Sequence, residues 1–285
     1  MNQIKLFKEL RGEQAEQSNY SDIVNYIGDL RARNLHAKSL KNHLFSLKIY
    51  FRYLVTIGKR SDHPCENLNL KDQIQRLIIV ESLYSKEQLE ELYNTFESPA
   101  DQRKWATKSE SIKKRDKVIL SLLIFQALTT TEITSLKLES INLDECTICI
   151  KSNESKGRRG NKSRTLPLHS RQILFIYNYI NIHRIELWNK PAPDERQDYF
   201  ILNNQGLQLW GSYLNRMLSK GREPHEIFTP LKIRQSVIAN LLKEKNDIRI
   251  VQEFAGHRRT GSTEAYQRTG FEKLKRSIER LHPRQ

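Results

Sequence analysis

The sequence predicts a mainly α-helical protein with one small antiparallel β-sheet, an α+β fold divided between two domains. Apolar residues recur at helical spacing along most of the 285 residues, and one segment has the alternation of a β-hairpin. The length corresponds to roughly two domains at about 150 residues each. Hydrophobic residues make up 38% and charged residues 28% of the chain, which excludes a disordered or collagen-like protein.

The chain is strongly basic. Its 48 Lys and Arg against 33 Asp and Glu give a formal net charge of +15. Such an excess indicates a polyanionic partner, most often nucleic acid and less often a membrane surface. No apolar run approaches the roughly 18 residues of a membrane span, and residues 1–10 lack the apolar core of a secretory signal. Three cysteines cannot crosslink a chain of this length, so we expect a cytoplasmic protein.

The first domain is predicted to be helical and to cover residues 1–78. Its first helix begins near Tyr20 and ends at Leu30, and a second runs from about Ala37 to Ile57. The second helix carries a line of basic residues: Lys41, Lys48, Arg52 and Lys59. This line is either a solvated helix face or a stripe that follows DNA phosphates, and the net charge favours the second interpretation. A linker is expected near Leu77 to Ser82, after a polar, proline-containing segment.

The second domain is predicted to cover residues 79–285. It opens with a capping box, Ser85 to Gln88, ahead of an apolar helical pattern. A nearly all-apolar helix from Lys113 to Leu128 is suited to the centre of the core. The segment Thr129 to Glu132 repeats the capping pattern at the start of the next helix, which carries Ile133, Leu136 and Leu138.

A β-hairpin with a basic tip follows. Residues Thr147 to Lys151 alternate, Ser152 to Asn161 are polar and contain glycine, and Arg164 to Leu168 are extended again. Four helical patterns complete the domain, and Gly256 closes the last of them: Ser170 to Leu187, Leu207 to Leu218, Pro230 to Lys243 and Ile248 to Ala255.

Metal and nucleotide chemistry are not expected. Cys146 and Cys149 have the spacing of a zinc knuckle, but no second pair follows at matching spacing. The sequence has no glycine-rich phosphate loop and no carboxylate cluster for magnesium. If such a protein cuts DNA, a side chain must attack phosphorus with the help of cations, without a cofactor.

The C-terminal third carries suitable residues at fixed intervals. Arg234 opens a helix, Asp247 to His257 is an Asp-hydrophobic-Arg helix that ends in Gly-His, and Ser262 to Tyr266 reads Ser-Thr-x-x-Tyr. Tyr266 follows His257 by nine residues. In this combination the chain resembles the tyrosine recombinase family, the Xer, Cre and phage-integrase type. The resemblance covers nearly the whole chain and implies a two-domain clamp, with a SAM-like core-binding domain before the catalytic domain.

The resemblance also implies a catalytic set. Tyr266 would attack the scissile phosphate, and Arg234 would stabilise the pentacovalent transition state. His257 would hydrogen-bond a non-bridging oxygen or assist the tyrosine proton. Glu132 matches the acidic position of the family's first box and would orient its neighbours.

The hairpin tip would supply the general acid. We prefer Lys156, because a lysine can release a proton when nearby cations lower its pKa and an arginine cannot. Arg159 and Lys162 are the alternatives. Basic residues of both domains are expected to contact DNA phosphates: Lys41, Lys48, Arg52, Lys59, Arg158, Arg159, Lys162 and Lys232.

Two of the family's phosphate-handling groups are absent. Thr129 stands where the family has its first arginine, and Leu231 stands where it has a histidine. Removing one preorganised donor costs about 100- to 1,000-fold in rate, so an active enzyme needs a replacement. The nearby basic residues that qualify are Arg158, Arg159, His225, Lys232, Arg258 and Arg259. Thr129 also has a purely structural explanation as a helix cap.

The family resemblance implies double-stranded DNA as partner and a homotetramer on two DNA sites. An amphipathic C-terminal segment, Phe271 to Leu274 with Ile278 and Leu281, would dock in a neighbouring protomer or pack on its own domain. Three other functions stay open: a type IB topoisomerase-like relaxing enzyme, a DNA-binding protein that has lost cutting, and an unrelated basic helical regulator. Both a mobile element and a housekeeping resolver fit the sequence.

Overall fold

The structure is a computed structural model that describes residues 3–72, 78, 82–97, 110–152, 160–219 and 227–266. The chain forms two compact units, Met1–Arg76 and Leu77–Gln285, called here the N-terminal and C-terminal units. Within the described ranges, no helix combines the length and apolar character needed to cross a membrane.

Three helices surround an aromatic centre in the N-terminal unit: α1 (Gln3–Arg11), α2 (Tyr20–Ala32) and α3 (Ala37–Thr56). The Phe7 ring meets Tyr26 edge to face at 5.0 Å between centroids and Phe51 at 6.1 Å. The expectation that the first helix begins near Tyr20 is therefore wrong. Helix α1 has only nine residues, too few turns for its apolar spacing to indicate a helix. The two predicted helices are confirmed as α2 and α3.

The C-terminal unit combines helices with a three-stranded antiparallel sheet of order β1-β2-β3. The helices are α4 (Lys86–Thr95), α5 (Glu110–Phe125), α6 (Thr130–Ser135), α7 (Ser170–Asn178), α8 (Arg184–Trp188), α9 (Gly211–Ser219), α10 (Pro230–Lys243) and α11 (Ile248–Ala255). The strands are β1 (Ile141–Asn142), β2 (Thr147–Ile150) and β3 (Arg164–Pro167). Ile150 pairs with Arg164 and Thr147 with Pro167, which confirms the predicted hairpin.

Local sequence signals position several of these helices. Ser85 and Gln88 form the predicted capping box of α4, and Thr129 and Glu132 form that of α6. Helix α5 is buried along almost its whole apolar body, as predicted. Helices α10 and α11 have the predicted bounds.

Several elements differ from the predictions. Helix α5 ends at Phe125 instead of Leu128, because Ala127 has a left-handed φ of +49°. Helix α6 ends at Ser135, so Leu136 and Leu138, which are expected on it, lie beyond its end.

Strand β1 adds a third strand to the hairpin by pairing Ile141 with Ile148. The predicted helix from Ser170 is interrupted by a π-helical turn, Tyr179–His183, before α8. Helix α9 begins at Gly211 instead of Leu207, because Asn203 Oδ1 accepts hydrogen bonds from the backbone N–H groups of Gln205 and Leu207 and holds that segment in a turn.

The base of the hairpin is bound to the turn that follows α11. The backbone N–H of Lys162 donates to the Gly256 carbonyl at 2.9 Å. Arg258 Nε donates to the Gly160 carbonyl at 2.7 Å, and Arg258 Nη2 to Ser152 Oγ at 3.1 Å. This arrangement brings the start of β3 and the Gly256 turn to one place.

Candidate active site

Gly256 makes the turn that presents His257. Its φ of +69° is left-handed, which ends α11 and suits a residue without a Cβ atom. His257 Nδ1 is hydrogen bonded to the buried Thr263 Oγ1 at 2.9 Å. Burial, followed by the charges of Arg234 and Arg164, lowers the pKa of His257 to about 4. The imidazole is therefore neutral at neutral pH.

Arg234 projects from the first turns of α10 into the same region. Thr229 caps this helix by accepting from the backbone N–H of Lys232. The Arg234 guanidinium is buried and donates to the carbonyls of Ala127 and Ala255, the latter at 2.5 Å. Ala127 has φ +49°, so a left-handed backbone turns this carbonyl toward the guanidinium. These two donations to main-chain carbonyls fix the guanidinium in place.

Tyr266 lies beside His257. Their rings are nearly parallel, with an interplanar angle of 14° and centroids 6.4 Å apart. Tyr266 packs partly buried against the apolar cluster of Ile238, Val251 and Ala255. Burial raises the pKa of its phenol, and the charge of Arg234 opposes this rise. The structure thus brings three of the predicted catalytic residues together.

Glu132 is buried beneath this group and accepts four hydrogen bonds. Its Oε2 accepts from the backbone N–H and the hydroxyl of Thr129 at 2.8 and 2.9 Å. Its Oε1 accepts from Asn161 Nδ2 at 3.1 Å and from Arg164 Nη1 at 2.7 Å. Burial acts to raise the pKa of Glu132, but the hydrogen bond and charge of Arg164 outweigh it and the pKa is lowered. Glu132 is therefore ionised and orients its neighbours.

Arg164 is a site residue that the sequence analysis did not identify. It is the first residue of β3, and its side chain is only 3% exposed. The strand alternates between buried and exposed residues, with Arg164 and Leu166 on the buried side. A charged residue at an inward position of an alternating strand is the sequence signal that marks it.

The other predicted residues are distributed as follows. Lys156, Arg158, Arg159, His225 and the segment from Phe271 to Leu281 lie outside the described residues. The Lys232 ammonium lies 4.2 Å from the centre of the Tyr84 ring, and Lys162 is exposed.

The candidates for replacing the missing groups separate in the structure. Arg258 is bonded to the hairpin base, as described above, and Arg259 is exposed. Leu231 is 66% exposed on the first turn of α10. The loss of the family histidine thus leaves an exposed apolar side chain at that position.

The predicted basic line on α3 is not continuous. Helix α3 ends at Thr56, so the expectation that Lys59 lies on it is wrong; Gly58, with φ +71°, follows the helix end. Lys59 Nζ lies 3.7 Å from Glu16 Oε2. Lys41 Nζ donates to the Asp72 carbonyl at 2.8 Å. Lys48 is partly exposed and Arg52 is exposed on the helix itself.

Comparison with known proteins identifies the family of the chain. Residues 83–273 match the phage integrase family, and residues 2–58 match the N-terminal SAM-like domain of phage integrases. The chain belongs to the phage integrase family. This recombinase is 28% identical to tyrosine recombinase XerD of Listeria monocytogenes over 267 residues, which are 93% of this chain and 82% of that relative. It is 25% identical to tyrosine recombinase XerC of Alcanivorax borkumensis over 268 residues, 92% of this chain and 79% of that one.

Solved structures share the fold. The XerH site-specific recombinase in a post-cleavage complex with a palindromic difH substrate has a TM-score of 0.62 at 18% identity, covering 92% of this chain and 72% of that one. The Tn1549 transposon integrase bound to circular intermediate DNA has a TM-score of 0.56 at 14% identity, covering 94% and 91%. The predicted fold class and family are confirmed. The recombinase is a tyrosine-type enzyme that cuts and rejoins DNA through a 3′-phosphotyrosyl intermediate.

Proposed function

We propose that Tyr266 is the nucleophile of this recombinase and that Arg234 and His257 serve it directly. The convergence of these three side chains around the Gly256 turn carries the proposal. Tyr266 Oη forms a bond to the scissile phosphorus while the bond from phosphorus to the 5′ oxygen breaks. The products are a 3′-phosphotyrosyl link and a strand with a free 5′-hydroxyl, so the phosphoester bond is exchanged and no ATP is consumed.

Proton transfer is assigned to residues on both sides of the phosphate. We assign His257, which is neutral at neutral pH, the tautomer with its proton on Nδ1 in the hydrogen bond to Thr263 Oγ1. Nε2 then accepts the phenol proton of Tyr266. The 5′ oxygen leaves with a proton from Lys156 at the hairpin tip. Arg234 binds non-bridging oxygens, where negative charge develops in the transition state.

We propose double-stranded DNA as the substrate, contacted by residues of both units. The core-binding unit would cover residues 1–78 and the catalytic unit residues 79–285. Lys48 and Arg52, the exposed part of the basic line on α3, support phosphate contacts by the first unit. Strand exchange requires attack by the 5′-hydroxyl of a second duplex, so we propose a homotetramer on two sites, working in the cytoplasm.

Trapping the covalent intermediate tests this function. A binding site is first selected from random duplexes. A labelled duplex of that sequence is then nicked close to the cleavage point, on its 3′ side. Cleavage releases the short fragment that carries the free 5′-hydroxyl, and its loss by diffusion prevents religation. Wild type should give a denaturation-resistant protein–DNA adduct, and Tyr266→Phe, which lacks only the hydroxyl, should give none. Tight, specific binding by wild type without any adduct would refute the proposal and leave a DNA-binding protein. Relaxation of supercoiled plasmid without strand exchange would indicate a topoisomerase-like enzyme.

A further inference from the structure

The Arg164 guanidinium is buried with most of its hydrogen-bonding capacity unused. Nη1 donates to Glu132 Oε1 at 2.7 Å and, more weakly, to the Lys162 carbonyl at 3.4 Å. Nε and Nη2 are buried and have no hydrogen-bond partner among the described residues. Unpaired donors on a buried cation are costly, and their persistence is typical of a site that awaits an anion.

The guanidinium lies directly against the catalytic turn. A Cβ atom on Gly256 would be 2.5 Å from Arg164 Nη1 and 3.0 Å from Arg164 Cζ. The next residue is His257, whose pKa the Arg164 charge helps to lower, and the Arg164 charge also acts on Arg234. Arg164 is therefore within electrostatic reach of the residues that surround the scissile phosphate.

Arg164 also shares a carboxylate with the position where the family's first arginine is missing. Thr129 bonds to one oxygen of Glu132 and Arg164 to the other. The Glu132 carboxylate therefore contacts both Thr129, which stands at the position of the absent arginine, and the Arg164 guanidinium of β3. The other nearby cations have different positions: Arg258 holds the hairpin base and Lys232 lies over Tyr84.

We propose that Arg164 replaces the missing first arginine, by binding a non-bridging oxygen of the scissile phosphate through Nε and Nη2. The inference rests on the proposed function of Tyr266 and names a further catalytic residue for it. Glu132 then acts as the positioning residue that holds this guanidinium, while Thr129 keeps only its capping role. Arg164 opens the Arg-Thr-Leu-Pro-Leu string that resembles the family's second hairpin strand, so an arginine that already belongs to the fold would take over the role of the absent one.

Single-turnover cleavage of the nicked duplex tests the proposal. Arg164→Gln keeps an amide donor for Glu132 but removes the charge, and it should slow cleavage by about 100-fold or more. Arg164→Lys keeps the charge without the planar fork and should give a smaller loss. Lys151→Gln is the matched control, because Lys151 is a 71% exposed cation at the end of the neighbouring strand. It should cleave at the wild-type rate.

A duplex with a methylphosphonate at the scissile position separates contact from structural support. The methyl group removes the negative charge, so a cation that neutralises this charge becomes less necessary. The ratio of wild-type to variant rates should fall below about tenfold on this substrate, whereas a purely structural defect would slow both substrates equally. If Arg164→Gln does not fold, Arg164→Lys, which preserves the ion pair, is compared on the two substrates.

The outcomes distinguish a failure of the Arg164 proposal from a failure of the proposed function of Tyr266. Absence of a wild-type adduct would refute the proposed function itself. A wild-type adduct together with wild-type cleavage by Arg164→Gln, or equal losses on the charged and neutral substrates, would overturn only the role of Arg164.

Discussion

The substitution Gly256→Ala would disturb the backbone and the Arg164 guanidinium together. At φ +69° an added Cβ costs about 1–2 kcal/mol. The same atom would lie 2.5 Å from Arg164 Nη1, so the guanidinium must move away from Glu132. Loss of a hydrogen bond to a charged group costs about 1.5–3 kcal/mol more. We expect the free energy of unfolding of the C-terminal unit to fall by about 4 kcal/mol.

Gly58→Ala is the matched control for this experiment. Gly58 has φ +71° and open space at the Cβ position, so only the backbone cost of about 1–2 kcal/mol is expected. Both variants can be compared with wild type by urea unfolding. Tryptophan fluorescence reports on Gly256→Ala, because all three tryptophans lie in the C-terminal unit. Circular dichroism reports on Gly58→Ala in the N-terminal unit. A cost for Gly256→Ala no larger than that for Gly58→Ala would refute the close contact with Arg164.

Other contacts lead to further expected outcomes. Thr129→Ala should lower the free energy of unfolding by about 1 kcal/mol by removing the α6 cap, and Thr129→Ser should preserve it in the same urea titration. Lys245→Gly should raise stability by about 1 kcal/mol, because exposed Lys245 has φ +62° after α10; a loss in urea unfolding would contradict this. Burial and the arginine charges lower the pKa of His257 from 6.5 to about 4. Between these two pH values the unfolded chain binds more protons than the folded chain. The free energy of unfolding should therefore fall as the pH falls from 6.5 to about 4. His257→Gln should lack that part of the loss, and identical pH profiles of the two proteins would contradict the shift.

Helices α10 and α11 could be predicted from the sequence because short-range chemistry marks their ends. Thr229 caps α10 ahead of Pro230, and Asp247 caps α11, whose end Gly256 fixes. The spacing of Arg234, His257 and Tyr266 follows from these elements, so family resemblance and structure point to the same group.

Features that depend on tertiary contacts were not predictable in the same way. Arg164 meets Glu132 across 32 residues, and only the packing of β3 against the Gly256 turn decides where its guanidinium lies. The start of α9 was missed for a local reason: Leu207 has helical spacing to the residues that follow, but the nearby Asn203 side chain holds it in a turn. Helix α1 becomes recognisable only when Phe7 is seen in the aromatic centre of its unit.

The attachment site of DNA in the trapped adduct tests the central claim most directly. Trypsin and nuclease digestion of the adduct should release the peptide of residues 260–268, which contains Tyr266 as its one tyrosine. Tandem mass spectrometry should find a nucleotide joined to Tyr266 through its 3′-phosphate, with a free 5′-hydroxyl on the departing strand. Attachment to another residue, or through a 5′-phosphate, would contradict the account.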